Sequence, residues 1–223
     1  MFTPFIKKTE FGSFLTFDDE SCSVTKQIVD GVFWNAFLKE KYDQYLNSDS
    51  VFLDCGAFIG SHSIHCAKIC KKVISFEAQK WLYYRLCANI VVNKLYNVDA
   101  YNYALNDKEC KMEINRGLPF IAWDGSSAQQ SNIIHKIIYE GNWQTASYAL
   151  DEAENGTIQA KTIDSFNFDK IDFIKIDCEG KDVNVIRGAI ETIGKYKPVI
   201  AFEGDSEPAK EILDAFNYKI ESI

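Results

Sequence analysis

Short apolar runs that end in an acidic residue recur along this chain, and they constrain its fold more than any other feature. The runs are Val51–Asp54, Val73–Glu77, Ile171–Asp177 and Pro198–Glu203. Segments with apolar residues at helical spacing lie between them: Leu82, Leu86 and Ile90 predict a helix after the second run, and a second helix is predicted after Asp177 by Val183, Ile186, Ile190 and Ile193. Strands that alternate with helices form βαβ units. The sequence therefore predicts an α/β fold of the Rossmann-like type, with a mostly parallel sheet and helices on both faces.

The acids at the strand ends predict where a ligand binds. In open parallel sheets, ligands bind outside the carboxyl ends of the strands. Asp54, Glu77, Asp177 and Glu203 would all meet at that edge. One acid at a strand end is ordinary surface chemistry, but four at the same edge indicate a site.

The first part of the chain precedes this pattern. Phe2–Thr9 and Ser13–Phe17 flank Gly12 and predict a small hairpin. Residues 24–46 predict one helix, weakened at Gly31. We expect a single domain over residues 1–223, with an N-terminal cap over 1–48 and a cofactor-binding core over 49–223.

Residues 116–160 do not follow the strand–helix repeat. A connection of this length in a compact domain is usually a lid or a binding loop, or is disordered. We expect an insertion or lid there, with a helix at Ile133–Tyr139, and with Trp123 and Trp143 either stacking on a sugar or packing. Tyr218–Ser222 predicts a last strand.

The composition limits which classes of binding partner and which cellular compartment we expect. The net charge is −8, and Lys71-Lys72 is the longest basic run, so a nucleic-acid partner is disfavoured. No apolar segment approaches the roughly 20 residues that a membrane span needs, and no signal peptide is evident. We therefore expect a cytoplasmic protein without membrane contact, and the oligomeric state is left open.

The cysteines and histidines favour packing over metal binding. Seven cysteines without a CxxC pair predict neither a disulfide framework nor a zinc ribbon. His62, His65, Cys66 and Cys70 share a helix face, but they lack the acid of an H-E-x-x-H motif. His62 could still touch a substrate.

The loop after the first core strand predicts a nucleoside site. In Asp54-Cys-Gly-Ala-Phe-Ile-Gly60, Gly56 can turn the chain sharply and Gly60 lets a helix start close to the sheet. Glu77 follows at the next strand end, where an acid can accept hydrogen bonds from a ribose diol.

The spacing favours S-adenosylmethionine over NAD. The loop has two glycines as D-x-G-x-x-x-G, whereas dinucleotide loops usually have three to approach a pyrophosphate. S-adenosylmethionine has no phosphate and carries positive charge, which a carboxylate such as Asp54 would stabilise. An oxidoreductase linked to NAD or a nucleotide sugar, and a catalytically silent binding module, remain alternatives.

These segments together resemble the FkbM-type family of S-adenosylmethionine-dependent methyltransferases. The resemblance spans about residues 50–204. It is carried by VFLDCGAFIGSHSIHCAKICKKVISFEAQKWLYYRLCANIVVNKL, ALND, KTIDSFNFDKIDFIKIDCEGKDVNVIRGA and KPVIAFE, with Lys175-Ile-Asp-Cys-Glu-Gly180 the most distinctive piece. The resemblance implies a class I methyltransferase sheet, although that fold usually ends in two antiparallel strands and this chain offers one candidate.

The resemblance also implies roles for individual residues. Four residues would line the methionine part of the cofactor: Asp54, Gly56, Ala57 and Gly60. Glu77 would hold the ribose hydroxyls and Ala78 would flank the adenine. Asn106 and Asp107 would meet the adenine edge. Members of the family mostly methylate hydroxyl oxygens, often on sugars, so the acceptor is expected to be a glycan or another small molecule.

A second acidic group predicts the catalytic residues. Lys175, Asp177 and Glu179 alternate, so on an extended chain they share one face. We predict that Asp177 orients the acceptor hydroxyl and takes its proton, that Glu179 binds neighbouring hydroxyls, and that Lys175 sets the charge. A solvated ion-pair cluster is the simpler alternative. In a metal-dependent variant, Asp177, Glu179 and Glu203 would hold Mg²⁺ or Mn²⁺.

Overall fold

Each apolar run that ends in an acid forms a strand of one sheet. The computed structural model describes residues 4–17, 22–114, 150–203 and 206–221. Its strands are β1 (Pro4–Lys8), β2 (Ser13–Phe17), β3 (Val51–Cys55), β4 (Lys72–Phe76), β5 (Val98–Tyr101), β6 (Ala104–Leu105), β7 (Cys110–Ile114), β8 (Leu150–Glu152), β9 (Ile158–Lys161), β10 (Phe173–Ile176) and β11 (Val199–Phe202). Its helices are α1 (Ser23–Asp30), α2 (Ala36–Tyr45), α3 (Ser61–Cys66), α4 (Lys80–Val92), α5 (Asp182–Arg187), α6 (Ile190–Tyr196) and α7 (Glu207–Ala215).

The central sheet has five parallel strands in the order β11-β10-β3-β4-β5. Consecutive strands run outward in both directions from β3, so the order reverses there, and such a reversal leaves a crevice at the carboxyl ends. The α/β prediction is confirmed. None of the helices in the described ranges is long and apolar enough to cross a bilayer.

Apolar side chains on both faces of the sheet explain why helices cover it on both sides. Side chains alternate along a strand, so neighbours in sequence point to opposite faces. Phe52 and Phe173 pack with α2, α3 and the N-terminal segment, whereas Leu53 and Ile174 pack with α5, α6 and α7. The register pairs Phe173 with Phe52 and Ile174 with Leu53, so like faces match across the strands.

The N-terminal segment contains the predicted hairpin, which β1 and β2 form as an antiparallel pair. The single helix predicted over 24–46 is wrong. Gly31 takes φ +79° and ends α1, and α2 begins only after Asn35, which itself has φ +53°. Phe33, Leu38 and Tyr42 from this segment are buried in the same core as Phe52.

Two further elements differ from the prediction. The helix expected after Asp177 is divided into α5 and α6 around Gly188, which lies so close to the backbone of Asn106 that a Cβ would be 2.1 Å from its carbonyl oxygen. Residues 218–221 are not a strand. Instead, the Tyr218 hydroxyl donates to the Pro198 carbonyl at 2.8 Å.

A second, four-stranded sheet in the order β6-β9-β7-β8 lies beside the end of β5. It includes residues 150–152 and 158–161, so the last part of the segment predicted as an insertion or lid over 116–160 contributes two strands to this sheet. The insertion or lid itself stays a prediction. Met112, Ala104 and Ala160 form its small core. The helix predicted at Ile133–Tyr139 and both tryptophans of the insertion lie outside the described residues.

Candidate active site

The glycine-rich loop passes directly over the end of the neighbouring strand. After β3, the backbone amides of Gly56 and Ala57 both donate to the Phe76 carbonyl, at 3.0 and 2.8 Å. Gly56 has φ +79°, and a Cβ there would lie 1.9 Å from the Asp177 carbonyl oxygen. Only glycine fits this position, so the loop that was predicted to hold the cofactor touches the strand that was predicted to carry catalysis.

The rest of the loop contains a strained backbone. Phe58 has φ +51° and Gly60 has φ +92°. A left-handed conformation is uncommon for an aromatic residue and persists only where the surroundings fix it. Gly60 precedes α3, and a Cβ there would lie 2.6 Å from Leu86. The two glycines therefore meet the steric needs that the sequence indicated.

Glu77 lies against this loop, as predicted. One carboxylate oxygen accepts from the Phe58 amide and the other from the Gln79 amide, each at 2.8 Å. Each oxygen keeps a second lone pair, so the carboxylate can still accept two hydroxyl donors. This geometry fits a ribose diol. Burial raises the pKa of Glu77 to about 7, although the two backbone amides and Lys175 act in the opposite direction.

Asn102 supports the backbone beyond Glu77, although no sequence motif indicated this residue. Its side-chain amide donates to the carbonyl oxygens of Glu77 at 2.8 Å and Ala78 at 3.1 Å. Ala78 itself packs against the small sheet with Ala104 and Met112. Nothing in the sequence marked Asn102, because it follows β5 rather than a strand that ends in an acid.

A buried charge network joins β3 to β10. The Lys175 ammonium lies 3.5 Å from Asp54, 3.4 Å from Asp177 and 3.0 Å from the Gly56 carbonyl oxygen. Asp54 also accepts a hydrogen bond from the Ser63 hydroxyl, which contacts the Ser75 hydroxyl. Asp54 has no exposed surface. It can therefore act on a cationic ligand through its charge, but not by direct contact in this conformation.

The network fixes the charge of Lys175. Burial alone would lower the pKa of this ammonium, but the carboxylates of Asp177 and Asp54 outweigh burial and hold its pKa well above its usual value. Lys175 is therefore a permanent cation and not a proton acceptor. It carries the counter-charge that lets two carboxylates coexist at this strand edge.

The three predicted catalytic residues do not share one face. Lys175 and Asp177 do, because Asp177 directly follows β10 and its amide still donates to the Cys55 carbonyl. Glu179 does not, because Glu179 and Gly180 take φ +51° and +82° in a turn beyond the strand. The role of Glu179 stays a prediction.

Glu203 joins Asp177 from the adjacent strand. Ile176 pairs with Phe202, so the two acids follow at neighbouring strand ends. Burial raises the pKa of Glu203, and the nearby Asp177 and Asp182 carboxylates and a hydrogen bond with Asp177 raise it further. Burial and Asp177 also raise the pKa of Asp182. The Asp177 and Glu203 carboxyl groups therefore form a close pair.

The two residues predicted at the adenine edge differ in exposure. Asn106 is buried, where its side chain donates to the Cys110 sulfur and accepts from the Asn184 amide at 2.9 Å. Asp107 is exposed. Asn106 thus connects the small sheet to α5, and its contact with a cofactor stays a prediction.

The histidines and cysteines near the loop are packed. His62 is buried beside Phe33 and Tyr42, and its Nδ1 lies 3.0 Å from the Tyr42 hydroxyl oxygen. Burial lowers the pKa of His62 and raises the pKa values of the Cys55 and Cys178 thiols, so all three are neutral. Across the described ranges, no three His, Cys, Asp or Glu side chains are grouped to hold a metal ion.

The fold and the site define an α/β domain with a glycine-containing loop and acidic side chains at the carboxyl ends of its parallel strands. A family model described as the methyltransferase FkbM domain matches residues 54–219. The chain therefore belongs to the FkbM family of S-adenosylmethionine-dependent methyltransferases, as the sequence resemblance predicted. No curated protein matches it in sequence.

Solved structures of methyltransferases are similar to the chain in fold. FkbM methyltransferase from Methylobacillus flagellatus KT is 19% identical, with a TM-score of 0.45, over 77% of this chain and 36% of that one. Precorrin-6y C5,15-methyltransferase from Geobacter metallireducens GS-15 is 15% identical, with a TM-score of 0.48, over 83% of this chain and 70% of that one. The chain thus spans about a third of the FkbM structure. The assignment to the family rests on the family model, not on these structures.

Replacing Gly56 should cost more than replacing a glycine that has the same backbone angle but open space around it. Gly31 and Gly56 both have φ +79°, but an added Cβ meets nothing within 4 Å at Gly31 and the Asp177 carbonyl at Gly56. We expect Gly31→Ala to cost about 1 kcal/mol of unfolding free energy, and Gly56→Ala at least twice that. Denaturant unfolding and S-adenosylhomocysteine calorimetry measure both effects; equal losses for the two variants would contradict the clash.

Lowering the pH should weaken cofactor binding. Burial raises the pKa of Glu77 to about 7, so the hydroxyl-accepting carboxylate is lost as the pH falls through that value. We expect S-adenosylhomocysteine affinity to fall by up to about tenfold per pH unit below pH 7. Calorimetry on either side of pH 7 measures this effect. An affinity that is flat across this range would exclude Glu77 as an ionised ligand.

The ligand-free protein should become less stable as the pH rises, whereas cofactor binding becomes weaker as the pH falls. The folded-state pKa of Glu77 exceeds its ordinary value of 4.5. The contribution of Glu77 to the free energy of unfolding is therefore complete below pH 4.5 and is lost as the pH rises through about 7. Glu77→Gln should remove that component from the pH dependence of the melting temperature. The same variant should bind S-adenosylhomocysteine weakly at every pH.

Proposed function

We propose that this chain transfers a methyl group from S-adenosylmethionine to a hydroxyl of a glycan or another small molecule. The observation that supports this most is the contact between the two halves of the site. Gly56 of the nucleoside loop lies on the Asp177 carbonyl, and Lys175 joins the Asp54 and Asp177 carboxylates. A donor held by the loop and a hydroxyl held by Asp177 would therefore be neighbours.

A cavity of about 730 Å³ opens beside Asp177 and supports a small acceptor. It lies between α2, the β10–β11 edge and residues 218–221, and this volume suits a ligand of one or two sugar rings. Its carboxylates are Asp177, Glu203 and Glu221. Phe37 and Tyr45 are half-exposed on its α2 side and offer flat apolar faces. Carboxylates beside aromatic faces are typical of sites that bind polyhydroxylated rings.

The residues would act on the acceptor as follows. When bound, S-adenosylmethionine supplies an electrophilic methyl group on a sulfonium sulfur. Glu77 and the loop would hold the nucleoside, and Asp177 would orient the acceptor hydroxyl towards the donor. Asp177 would accept the proton of that hydroxyl as its oxygen takes the methyl group, with the C–S electron pair left on sulfur. Orientation of both reactants supplies most of the rate enhancement.

Glu203 would stabilise the proton that leaves the acceptor hydroxyl. Two carboxylates held close together repel each other, and uptake of one proton by the pair relieves that repulsion. The raised pKa of Glu203, to which burial contributes most and Asp177 next, agrees with this arrangement. Lys175 cannot cancel the repulsion alone, because its ammonium is shared with Asp54.

The rival functions make different demands. An oxidoreductase would need NAD or a nucleotide sugar in the loop, and calorimetry with NAD against S-adenosylhomocysteine separates these ligands. A silent binding module would bind S-adenosylhomocysteine without turnover. A nucleic-acid acceptor is disfavoured by the net charge of −8. A cytoplasmic setting remains our expectation from the sequence.

Asp177→Asn should abolish turnover and leave donor affinity unchanged. Loss of a general base typically costs 10²- to 10⁴-fold in rate, and we expect a loss of about that size. The assay uses labelled S-adenosylmethionine with a panel of sugars and other alcohols, and S-adenosylhomocysteine calorimetry checks binding. Asp99→Asn, at an exposed ion pair with Lys72, is the control. Retained turnover in Asp177→Asn would reject the assignment.

Activity should survive chelation. A metal held by Asp177, Glu179 and Glu203 would have to compete with the Lys175 ammonium, which lies 3.4 Å from Asp177, and Glu179 lies in a turn beyond the strand. We expect the same rate of methyl transfer with and without EDTA. A rate that EDTA removes and Mg²⁺ or Mn²⁺ restores would support the metal-dependent variant instead.

A further inference from the structure

The outer edge of the N-terminal hairpin is paired with side chains of α4. Both backbone groups of Ser13 bond to the Asn93 side chain, the amide at 2.8 Å and the carbonyl at 2.6 Å. The Leu15 amide donates to Asn89 at 2.6 Å, and the Leu15 carbonyl accepts from Arg85 at 3.3 Å. Arg85 and Asn89 of α4, with the C-cap residue Asn93, thus take the place of a neighbouring strand.

The spacing of the two elements explains this pairing. Four residues of an α-helix rise about 6 Å, and two residues of a strand rise about 6.7 Å. Helical positions four apart therefore stay in step with strand positions two apart. The match holds for two successive pairs, Ser13 with Asn93 and Leu15 with Asn89.

Asn89 also reaches the nucleoside loop. Its carboxamide oxygen accepts from Leu15, and its nitrogen donates to the Ile59 carbonyl at 2.8 Å. The Asn89 side chain is fully buried, so water does not compete for either bond. Ile59 lies between Phe58 and Gly60, the two residues of the loop with φ of +51° and +92°. One side chain thus spans from the hairpin to the strained part of the loop.

Apolar packing follows the same path. Phe11 and Phe14 of the hairpin segment lie in one core with Phe58 and Ile59. The Phe58 amide in turn donates to Glu77, the carboxylate proposed to hold the ribose. A change in the hairpin can therefore reach Glu77 through contacts that are all present in the structure.

We infer that Asn89 is a positioning residue that couples the N-terminal hairpin to the cofactor loop and holds the loop in its donor-binding conformation. This inference rests on the proposed cofactor site. Coupling of this kind is reciprocal, because a contact that favours binding must itself be favoured by the bound ligand. Bound S-adenosylhomocysteine should therefore tighten the hairpin against α4.

Asn89→Ala and Asn93→Ala form a matched pair of variants. Both remove side-chain bonds to the hairpin backbone, but only Asn89 also bonds to the loop. We expect both to lower the melting temperature. We expect Asn89→Ala to weaken S-adenosylhomocysteine binding by about tenfold or more, and Asn93→Ala to weaken it much less, because Asn93 has no bond of its own to the loop. Calorimetry on the full chain measures the affinities. Equal losses in affinity for the two variants would overturn the coupling.

Asn89→Asp separates the two bonds. An ionised aspartate can still accept from Leu15, but it has no proton to donate to the Ile59 carbonyl. We expect this variant to keep the hairpin in place and to bind S-adenosylhomocysteine as weakly as Asn89→Ala does. Binding as tight as in the wild type would overturn the assignment of the Ile59 contact.

Hydrogen exchange in the wild type tests the coupling even if a variant fails to fold. We expect S-adenosylhomocysteine to slow amide exchange in residues 4–17 of the wild type and of Asn93→Ala, and to have no such effect in Asn89→Asp. Unchanged exchange in the liganded wild type would overturn the inference. If the wild type does not bind S-adenosylhomocysteine at all, the proposed function fails as well, whereas normal binding by the Asn89 variants overturns this inference alone.

Discussion

The buried ammonium of Lys175 is the interaction on which the rest of the site depends. It lies between Asp54 on β3 and Asp177 after β10, and it also bonds to the Gly56 carbonyl. Without this cation, Asp54 would be a buried carboxylate that has, within the described part of the chain, the Ser63 hydroxyl as its remaining hydrogen-bond donor. Breaking such a buried pair typically costs about 3–5 kcal/mol. The same cation therefore stabilises the central strands and sets the electrostatics of the proposed reaction.

This arrangement explains why the two halves of the site cannot be separated. The loop proposed to hold the donor and the carboxylate proposed to receive the proton share a cation and a backbone contact at Gly56. Glu77 bonds to this loop at Phe58, and Asp177 contacts it at Gly56, so one short loop is fixed to two strand ends.

The sequence predicted the elements that depend on local pattern. The four strands that end in acids, the two glycines and the position of Glu77 all follow from residue type and spacing. It failed where distant contacts decide the backbone. Glu179 leaves the strand face in a turn, Gly188 is pressed against Asn106, and Asn89 meets residues 74 and 30 positions away. The periodicity of a sequence does not indicate such distant partners. A weaker indication was present for Asn89, which is a polar residue next to the apolar stripe of Leu82, Leu86 and Ile90.

The helix-to-strand pairing has a consequence for how this protein can vary. Each residue of a helix turns by about 100°, so one residue inserted between Arg85 and Asn93 would rotate the later side chains away from the hairpin. Substitutions on the exposed side of α4 leave the pairing intact, but insertions and deletions do not. Homologous chains that keep this hairpin should therefore differ in residue type along this stretch of helix and agree in its length.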